Sequence, residues 1–112
     1  MLGLQFTHVG PREARAKLQV LPEHHQPWGV ANGGLYCSIA ETVASIASVA
    51  AADAPAVGVN NSSDFIRSTG KGELEAVATP VQLGGRTHVW SVEMRQGREL
   101  IARTTLRTMI LR

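Results

Sequence analysis

The sequence predicts an α+β domain in which one long helix covers a face of a mainly antiparallel sheet. Residues 12–21 alternate between apolar and polar side chains, as a half-buried strand does. From residue 33 to about 52, apolar residues recur at helical spacing, and four more strand-like segments follow residue 56. Short connections between consecutive strands favour antiparallel pairing, so two strands, one helix and four strands predict this architecture.

Length and composition predict a single domain over residues 1–112. A hydrophobic fraction of 44% with 18% charged residues is enough for a packed core. The net charge of +2 comes from scattered Lys and Arg residues, which argues against nucleic acid and is compatible with a small polyanionic ligand. The chain opens without a secretory pattern, and Cys37 has no partner for an internal disulfide, so we expect a cytoplasmic protein.

The first part of the chain predicts two strands and a loop. Residues 2–9 are a candidate first strand. The second strand spans 12–21, and its apolar side is made by Ala14, Ala16, Leu18 and Val20. Proline, glycine and asparagine are concentrated in 22–32, which predicts a loop before the helix.

The helix of residues 33–52 carries one charged side chain, Glu41. Its apolar positions include Leu35, Ile39, Val43, Ile46 and Ala50, and a stripe of small residues is formed by Ala40, Ala44, Ala47 and Ala51. A polar stripe is formed by Ser38, Glu41, Ser45 and Ser48. We expect the sheet to enclose this helix on nearly all sides, with Ser45 donating to a buried Glu41 carboxylate. The alternative is that Glu41 faces solvent or a subunit interface. The helix is also a poor membrane span because Ala, Ser and Glu41 interrupt its apolar character.

The remainder of the chain predicts four strands near 56–67, 72–83, 86–96 and 99–111, separated by glycines. The last strand alternates most regularly, and its predicted inner side is formed by Leu100, Ala102, Thr104, Leu106, Thr108 and Ile110. Residues 95–99 predict the hairpin turn before it.

The start of the helix is a candidate oxyanion site. Asn32, Gly33 and Gly34 stand where free backbone N–H groups and the helix dipole favour a developing negative charge, and glycine lets a ligand approach. The alternative is that these glycines only mark the passage from loop to helix.

The run Gln-Pro-Trp-Gly-Val-Ala-Asn-Gly-Gly at 26–34, followed by Leu-Tyr-Cys-Ser-Ile-Ala-Glu-Thr at 35–42, resembles the signature of hot-dog thioesterases of the 4-hydroxybenzoyl-CoA and phenylacetate-pathway type. The resemblance implies a hot-dog fold, a curled sheet around one central helix, and hydrolysis of acyl- or aryl-CoA thioesters. It implies that Glu41 is the catalytic carboxylate, that the Gly33 amide polarises the carbonyl, and that Gln26 and Ser45 assist. Asn32 stands where the family usually has His.

The resemblance also implies positions that contact coenzyme A. These are Asn60, then Arg67, Ser68, Thr69 and Gly70, and then the turn of Gly84, Gly85, Arg86, Thr87, His88 and Val89. Arginines in two of these segments could bind phosphates through several donors, although isolated surface arginines often have no such role.

Spacing along the helix indicates an oligomer. Gly33 and Glu41 are eight residues apart, which separates them by roughly 12 Å along a helix. If both act on one carbon atom, they must come from different chains, so the active unit is at least a dimer. The family also pairs hot dogs, which suggests a dimer of dimers. We expect neither a metal nor a cofactor, since His24 and His25 lack carboxylate or Cys partners at ligand spacing.

Two other functions remain open on the sequence. A non-catalytic acyl-CoA-binding or regulatory protein of the same fold would be consistent with the change to Asn32. A dehydratase of this fold is disfavoured because such enzymes depend on a His with an acidic partner, and the helix contains no His.

Overall fold

The computed structural model describes residues 3–21, 24, 29 and 33–112. Its elements occur in the predicted order: β1 (Gln5–Gly10), β2 (Glu13–Val20), α1 (Gly33–Ala52), β3 (Ala56–Phe65), β4 (Gly72–Leu83), β5 (Thr87–Gln96) and β6 (Glu99–Ile110). The helix has the bounds that its periodicity predicts, and the strands differ from their predicted ends by a few residues at most.

The six strands form one antiparallel sheet with the order β1-β2-β4-β5-β6-β3. The helix connects β2 to β3, so the chain crosses the face of the sheet and returns at its far edge. A curled antiparallel sheet around one helix is the hot-dog architecture, and the predicted fold class is confirmed. Strand β3 is left at one edge of the sheet.

The core lies between the helix and the inner face of the sheet. Predicted inward positions of β2, such as Ala16 and Leu18, are at most 2% exposed, and Trp90 on β5 is completely buried. On the helix, Ile39, Val43 and the alanine stripe lie against the sheet. Each large apolar side chain buried in this way contributes about 1.5–3 kcal/mol. The helix is long and apolar enough to cross a membrane, with a mean hydropathy of 1.5, but here it is the core helix of the domain.

The prediction that the helix is enclosed on nearly all sides is wrong. Gly34, Ser38, Glu41, Val49 and Ala50 are exposed. The small residues let the sheet approach one side of the helix closely, and the sheet does not extend around the opposite side. The small number of charged residues on the helix therefore does not mean that the helix is enclosed, because one of its sides is exposed in the single chain.

The predicted inner side of β6 also needs one correction. The pairing of β5 with β6 shifts register between Met94 and Arg95, opposite Ala102 and Leu100. This irregularity turns Ile101, 2% exposed, into the core beside Ala102, and Leu100 is only half-buried. Regular alternation cannot reveal such a bulge because one extra residue reverses the facing of the strand.

The polar stripe of the helix divides between surface and core. Ser48 is completely buried, and its Oγ accepts a hydrogen bond of 2.6 Å from Trp90 Nε1. The same oxygen lies 2.6 Å from Thr108 Oγ1 and 3.0 Å from His88 Nδ1. These contacts fix the last turns of α1 to β5 and β6.

Candidate active site

Glu41 lies on the open side of α1, and its side chain is exposed. The carboxyl group lies over β3, where a Cβ atom added to Gly58 would be 3.1 Å from Glu41 Oε2 and 3.2 Å from its Cγ. The expectation of a buried carboxylate is therefore wrong, and the alternative, a side chain facing solvent or a subunit interface, describes its position. Since helical side chains lean toward the helix N-terminus, Glu41 is directed to the turn that precedes it.

A pocket of about 280 Å³ surrounds this carboxylate and is lined by Cys37, Ser38, Glu41 and Asn61. Within residues 3–21, 24, 29 and 33–112, no hydrogen bond or ion pair engages the Glu41 side chain. No group of the described part of the chain therefore occupies its oxygens, which can contact an external group. The same described ranges contain no group of three or more His, Cys, Asp or Glu residues that could hold a metal ion.

Asn61 is the β3 residue that lines this pocket and binds the helix. Its Nδ2 donates to the Cys37 carbonyl at 3.1 Å, and its Oδ1 accepts from Ser63 Oγ at 2.7 Å. Ser63 is in turn 2.6 Å from Thr104 Oγ1. The Cys37 carbonyl is also the helical acceptor for the Glu41 N–H, so Asn61 attaches to β3 the turn of the helix that precedes Glu41.

The sequence did not single out Asn61. It lies in a polar run in which Asn60, Ser62 and Asp64 are equally plausible choices. Only the contact between strand and helix distinguishes Asn61 from these neighbours.

Ser45 is half-buried and makes no hydrogen bond with Glu41 in the structure. The expected donation is therefore absent. The reason is directional: Ser45 lies one turn after Glu41, whereas the Glu41 side chain leans toward the preceding turn.

Gly33 is the first residue of α1, as predicted. A Cβ atom added there would lie 2.7 Å from Phe65 Cε2, so the aromatic ring of the same chain occupies the space beside this glycine. Phe65 is 55% exposed and also contacts the ring of Tyr36, with centroids 5.7 Å apart. The two rings form an aromatic wall next to the helix start. Gln26 and Asn32 lie outside the described residues.

Tyr36 was not identified from the sequence as a notable residue. Its side chain is buried, and its hydroxyl has no hydrogen-bond partner within the part of the chain that the structure describes. Burial also raises the pKa of this phenol above its ordinary value of 10.0.

The segment 67–70, predicted to contact coenzyme A, has a mixed environment. Arg67 and Ser68 are exposed, and the Arg67 guanidinium is 3.7 Å from Glu99 in an exposed pair that water screens strongly. Thr69 is buried, and its hydroxyl lies 2.9 Å from both the Lys71 carbonyl and Gln96 Oε1. The Thr69 side chain therefore serves the fold, and its contact with coenzyme A stays a prediction. Gly70 is half-buried, and Asn60 is exposed on β3.

The turn before β5 lies at a cavity of about 820 Å³. This cavity is lined by Gly85, Arg86, Thr87, Met109, Ile110 and Arg112. A hydrogen bond of 3.0 Å from Gly84 N to the Thr87 carbonyl closes the turn. Arg112 was not predicted, and it gives the cavity a second guanidinium.

His88 is buried at 3% exposure and hydrogen-bonded to Ser48, so its side chain faces the core, and its contact with coenzyme A stays a prediction. The reason is the strand period: Thr87 is exposed and Val89 half-buried, whereas His88 between them points inward. Burial, together with the charge of Arg112, lowers the pKa of His88 below its ordinary value of 6.5.

Strand pairing relates the cavity to Glu41. Met109 is paired with Thr87 on one side and with Val57 on the other. Val57 precedes Gly58, over which Glu41 lies. The cavity with its two arginines borders β6, the strand next to β3, and Met109 in its lining is paired with the residue that precedes Gly58.

Residues 29–102 match the Thioesterase superfamily. The esterase candidate Rv1847 of Mycobacterium tuberculosis is 44% identical over 96 residues, which cover 81% of this chain and 69% of that protein. Its solved structure superposes with a TM-score of 0.96 over 98% of this chain and 92% of that one, at 40% identity. The 1,4-dihydroxy-2-naphthoyl-CoA hydrolase of Escherichia coli is 31% identical, covering 83% of this chain and 70% of the relative.

The chain therefore belongs to the thioesterase superfamily, and it is an enzyme of the hydrolase class with a hot-dog fold. A thioesterase structure from Haemophilus influenzae also superposes, with a TM-score of 0.91 over 98% of this chain and 79% of that one, at 27% identity.

Proposed function

We propose that this protein hydrolyses acyl- or aryl-CoA thioesters to a free acid and coenzyme A, with Glu41 as the catalytic carboxylate. The observation that carries the proposal is the Glu41 carboxylate, which has no hydrogen-bond or ion-pair partner among the described residues and lies in a surface pocket on the helix that begins at Gly33. The Escherichia coli relative named as a CoA-thioester hydrolase supports the choice of substrate class.

The complete site needs two chains. Gly33 and Glu41 occupy one continuous helix, which separates them by roughly 12 Å. A thioester carbonyl bound at the Gly33 amide of one chain is therefore out of reach of Glu41 in the same chain. We propose that Glu41 acts on the thioester held by Gly33 of the partner subunit.

The edge strand β3 supplies a suitable interface. Val57, Val59 and Phe65 on this strand are 42%, 48% and 55% exposed, an apolar content that favours burial against another surface. Two copies of β3 paired antiparallel, with the two-fold axis between Asn61 and Ser62, would set Gly58 of one chain opposite Phe65 of the other. Because Glu41 lies over Gly58 and Gly33 contacts Phe65, this pairing brings Glu41 to the partner's helix start. A dimer of two such dimers is a further part of the proposal.

In the proposed reaction, the Gly33 N–H and the helix dipole stabilise negative charge on the thioester oxygen. Glu41 either attacks the carbonyl carbon directly or takes a proton from the water that attacks it. In both routes the C–S bond breaks, the sulfur leaves as the thiolate of coenzyme A and takes up a proton, and water supplies the oxygen of the acid. Gln26, Asn32 and Ser45 are proposed to assist at the same site.

The cavity beside β5 and β6 is proposed to receive the phosphates of coenzyme A. Arg86 and Arg112 place two permanent positive charges there, and guanidinium groups bind phosphate through several donors. Thr87 and the backbone of Gly84 and Gly85 would add neutral contacts. Arg67 and Asn60 are proposed as outer contacts.

The aromatic wall of Tyr36 and Phe65 favours an aromatic acyl group, since aromatic rings stack and pack against each other with a gain of about 0.5–1.5 kcal/mol beyond burial. A screen of aryl- and alkyl-CoA substrates tests this preference. Faster turnover of alkyl-CoAs than of benzoyl-CoA would contradict it.

The decisive test is Glu41→Gln. This change keeps the size of the side chain, so the fold and the oligomer should persist while turnover of acyl-CoAs falls by at least about 100-fold. Unchanged hydrolysis would refute the role of Glu41. Tight acyl-CoA binding by the wild-type protein without hydrolysis would favour the non-catalytic alternative.

A further inference from the structure

Gly58 does not have the positive φ that favours glycine, although the pairing of β3 with β6 shifts register between Gly58 and Asn60. The neighbouring Ala56, Val57 and Val59 adopt the same strand. An added Cβ would instead meet the Glu41 side chain, at 3.1 Å from Oε2, 3.2 Å from Cγ and 3.3 Å from Cδ. These distances are shorter than ordinary van der Waals contact. Glycine at this position therefore leaves space for Glu41.

We propose that Gly58 is a positioning residue for the Glu41 carboxylate: the absence of a side chain at residue 58 determines where the carboxylate lies. The inference rests on the proposed catalytic role of Glu41. It adds a residue that touches no substrate and acts only through Glu41.

The helix cannot easily move away to make room for a larger residue 58. Asn61 binds the Cys37 carbonyl, one turn before Glu41, and the chain of hydrogen bonds continues through Ser63 to Thr104 on β6. These contacts hold α1 against β3 just after Gly58. A new side chain there would displace the exposed Glu41 carboxyl group rather than the backbone.

This arrangement separates activity from stability. Alanine and valine form strands better than glycine, so a substitution at residue 58 should leave the free energy of unfolding unchanged or raise it. A displaced carboxylate should slow the chemical step, because an error of 1 Å in a catalytic group costs about 100-fold. Opposite effects on kcat and stability are the signature of positioning.

The test measures kcat and KM with benzoyl-CoA for Gly58→Ala and Gly58→Val, together with thermal unfolding and the oligomeric mass. We expect kcat to fall about 5-fold for alanine and about 100-fold for valine, with KM within about 2-fold of wild type. Gly10→Ala is the matched control, since its added Cβ would lie 3.1 Å from His8 Nε2, far along the sheet on β1. It should keep the wild-type kcat.

A double-mutant cycle with Glu41→Asp identifies Glu41 as the group through which residue 58 acts. The shorter side chain leaves room for a Cβ, so Gly58→Ala should cost much less in the Asp background than in wild type. If Glu41→Asp has no measurable turnover, crystal structures of Gly58→Val and of wild type are compared instead. A Glu41 carboxylate at the same position in both structures overturns the inference.

The outcomes distinguish this inference from the proposed function. Full activity of both residue-58 variants, with loss in Glu41→Gln, overturns the positioning role and leaves the proposed function standing. Full activity of Glu41→Gln refutes the proposed function itself. Loss of kcat that accompanies dissociation or unfolding of the Gly58 variants would show that residue 58 acts through assembly or folding, and would also overturn the inference.

Discussion

Ser48→Ala is expected to destabilise the protein more than the substitution of any other serine on the helix would. Ser48 is completely buried and contacts three polar side chains through one oxygen atom. Removing that oxygen leaves the N–H of Trp90, itself completely buried, without its acceptor. The Thr108 hydroxyl and the His88 ring lose a partner at the same time.

The magnitude follows from these groups. A buried donor left unpaired costs about 1–3 kcal/mol, and the weaker losses at Thr108 and His88 bring the sum to about 2–4 kcal/mol. For a domain of this size, each kcal/mol lowers Tm by roughly 4 °C, so Tm should fall by about 8–16 °C. Alanine forms helices better than serine by about 0.5 kcal/mol, which slightly offsets the loss.

Thermal and urea unfolding followed by circular dichroism measure this change. Ser38→Ala is the matched control, because Ser38 lies on the same helix but is exposed, so the propensity gain is shared and no buried partner is lost. The difference between the two variants isolates the buried hydrogen bonds. Equal Tm values for the two variants would refute the argument that this network stabilises the fold.

Three further predictions concern titration and binding. Tyr36→Phe removes a buried hydroxyl that has no hydrogen-bond partner among the described residues, so it should be neutral or raise Tm by a few degrees. Because burial raises the folded-state pKa of this phenol, wild type should also lose stability relative to Tyr36→Phe as pH rises above 10. The folded-state pKa of His88 is lowered, so the stabilisation that comes from neutral His88 is complete above pH 6.5 and declines as the pH falls below it. In urea unfolding experiments, the free energy of unfolding of His88→Gln should therefore fall less steeply with decreasing pH than that of wild type. Arg86→Ala and Arg112→Ala should each raise KM for benzoyl-CoA about 10-fold at low salt with kcat unchanged, and an unaltered KM would exclude phosphate binding in that cavity.

The sequence was informative where local periodicity and core packing agree. The two-residue period of β2 and the helical spacing of α1 gave these elements within a few residues, because both patterns arise from burial on one face. The bulge at Ile101 was missed because a single extra residue alters facing without altering composition. The motif at 26–42 indicated the family, which the comparisons confirm.

The geometry of the candidate site depends on the direction of each side chain and on which strand or helix packs against it. The sequence indicated Glu41 as the unusual charge on the helix but wrongly buried it, since a helix with few charges can still have an open side. It could not separate inward His88 from its outward neighbours, nor select Asn61 from a run of polar residues.

The sequence by itself thus determined the order of elements, the helix and the identity of Glu41 as its one charged residue, because these depend on neighbours along the chain. Only the tertiary structure decided that Glu41 lies over Gly58, that Ser48 anchors a buried network and that Phe65 covers Gly33. Each of these contacts joins residues far apart in sequence, and their distances are set by how the sheet curls around the helix.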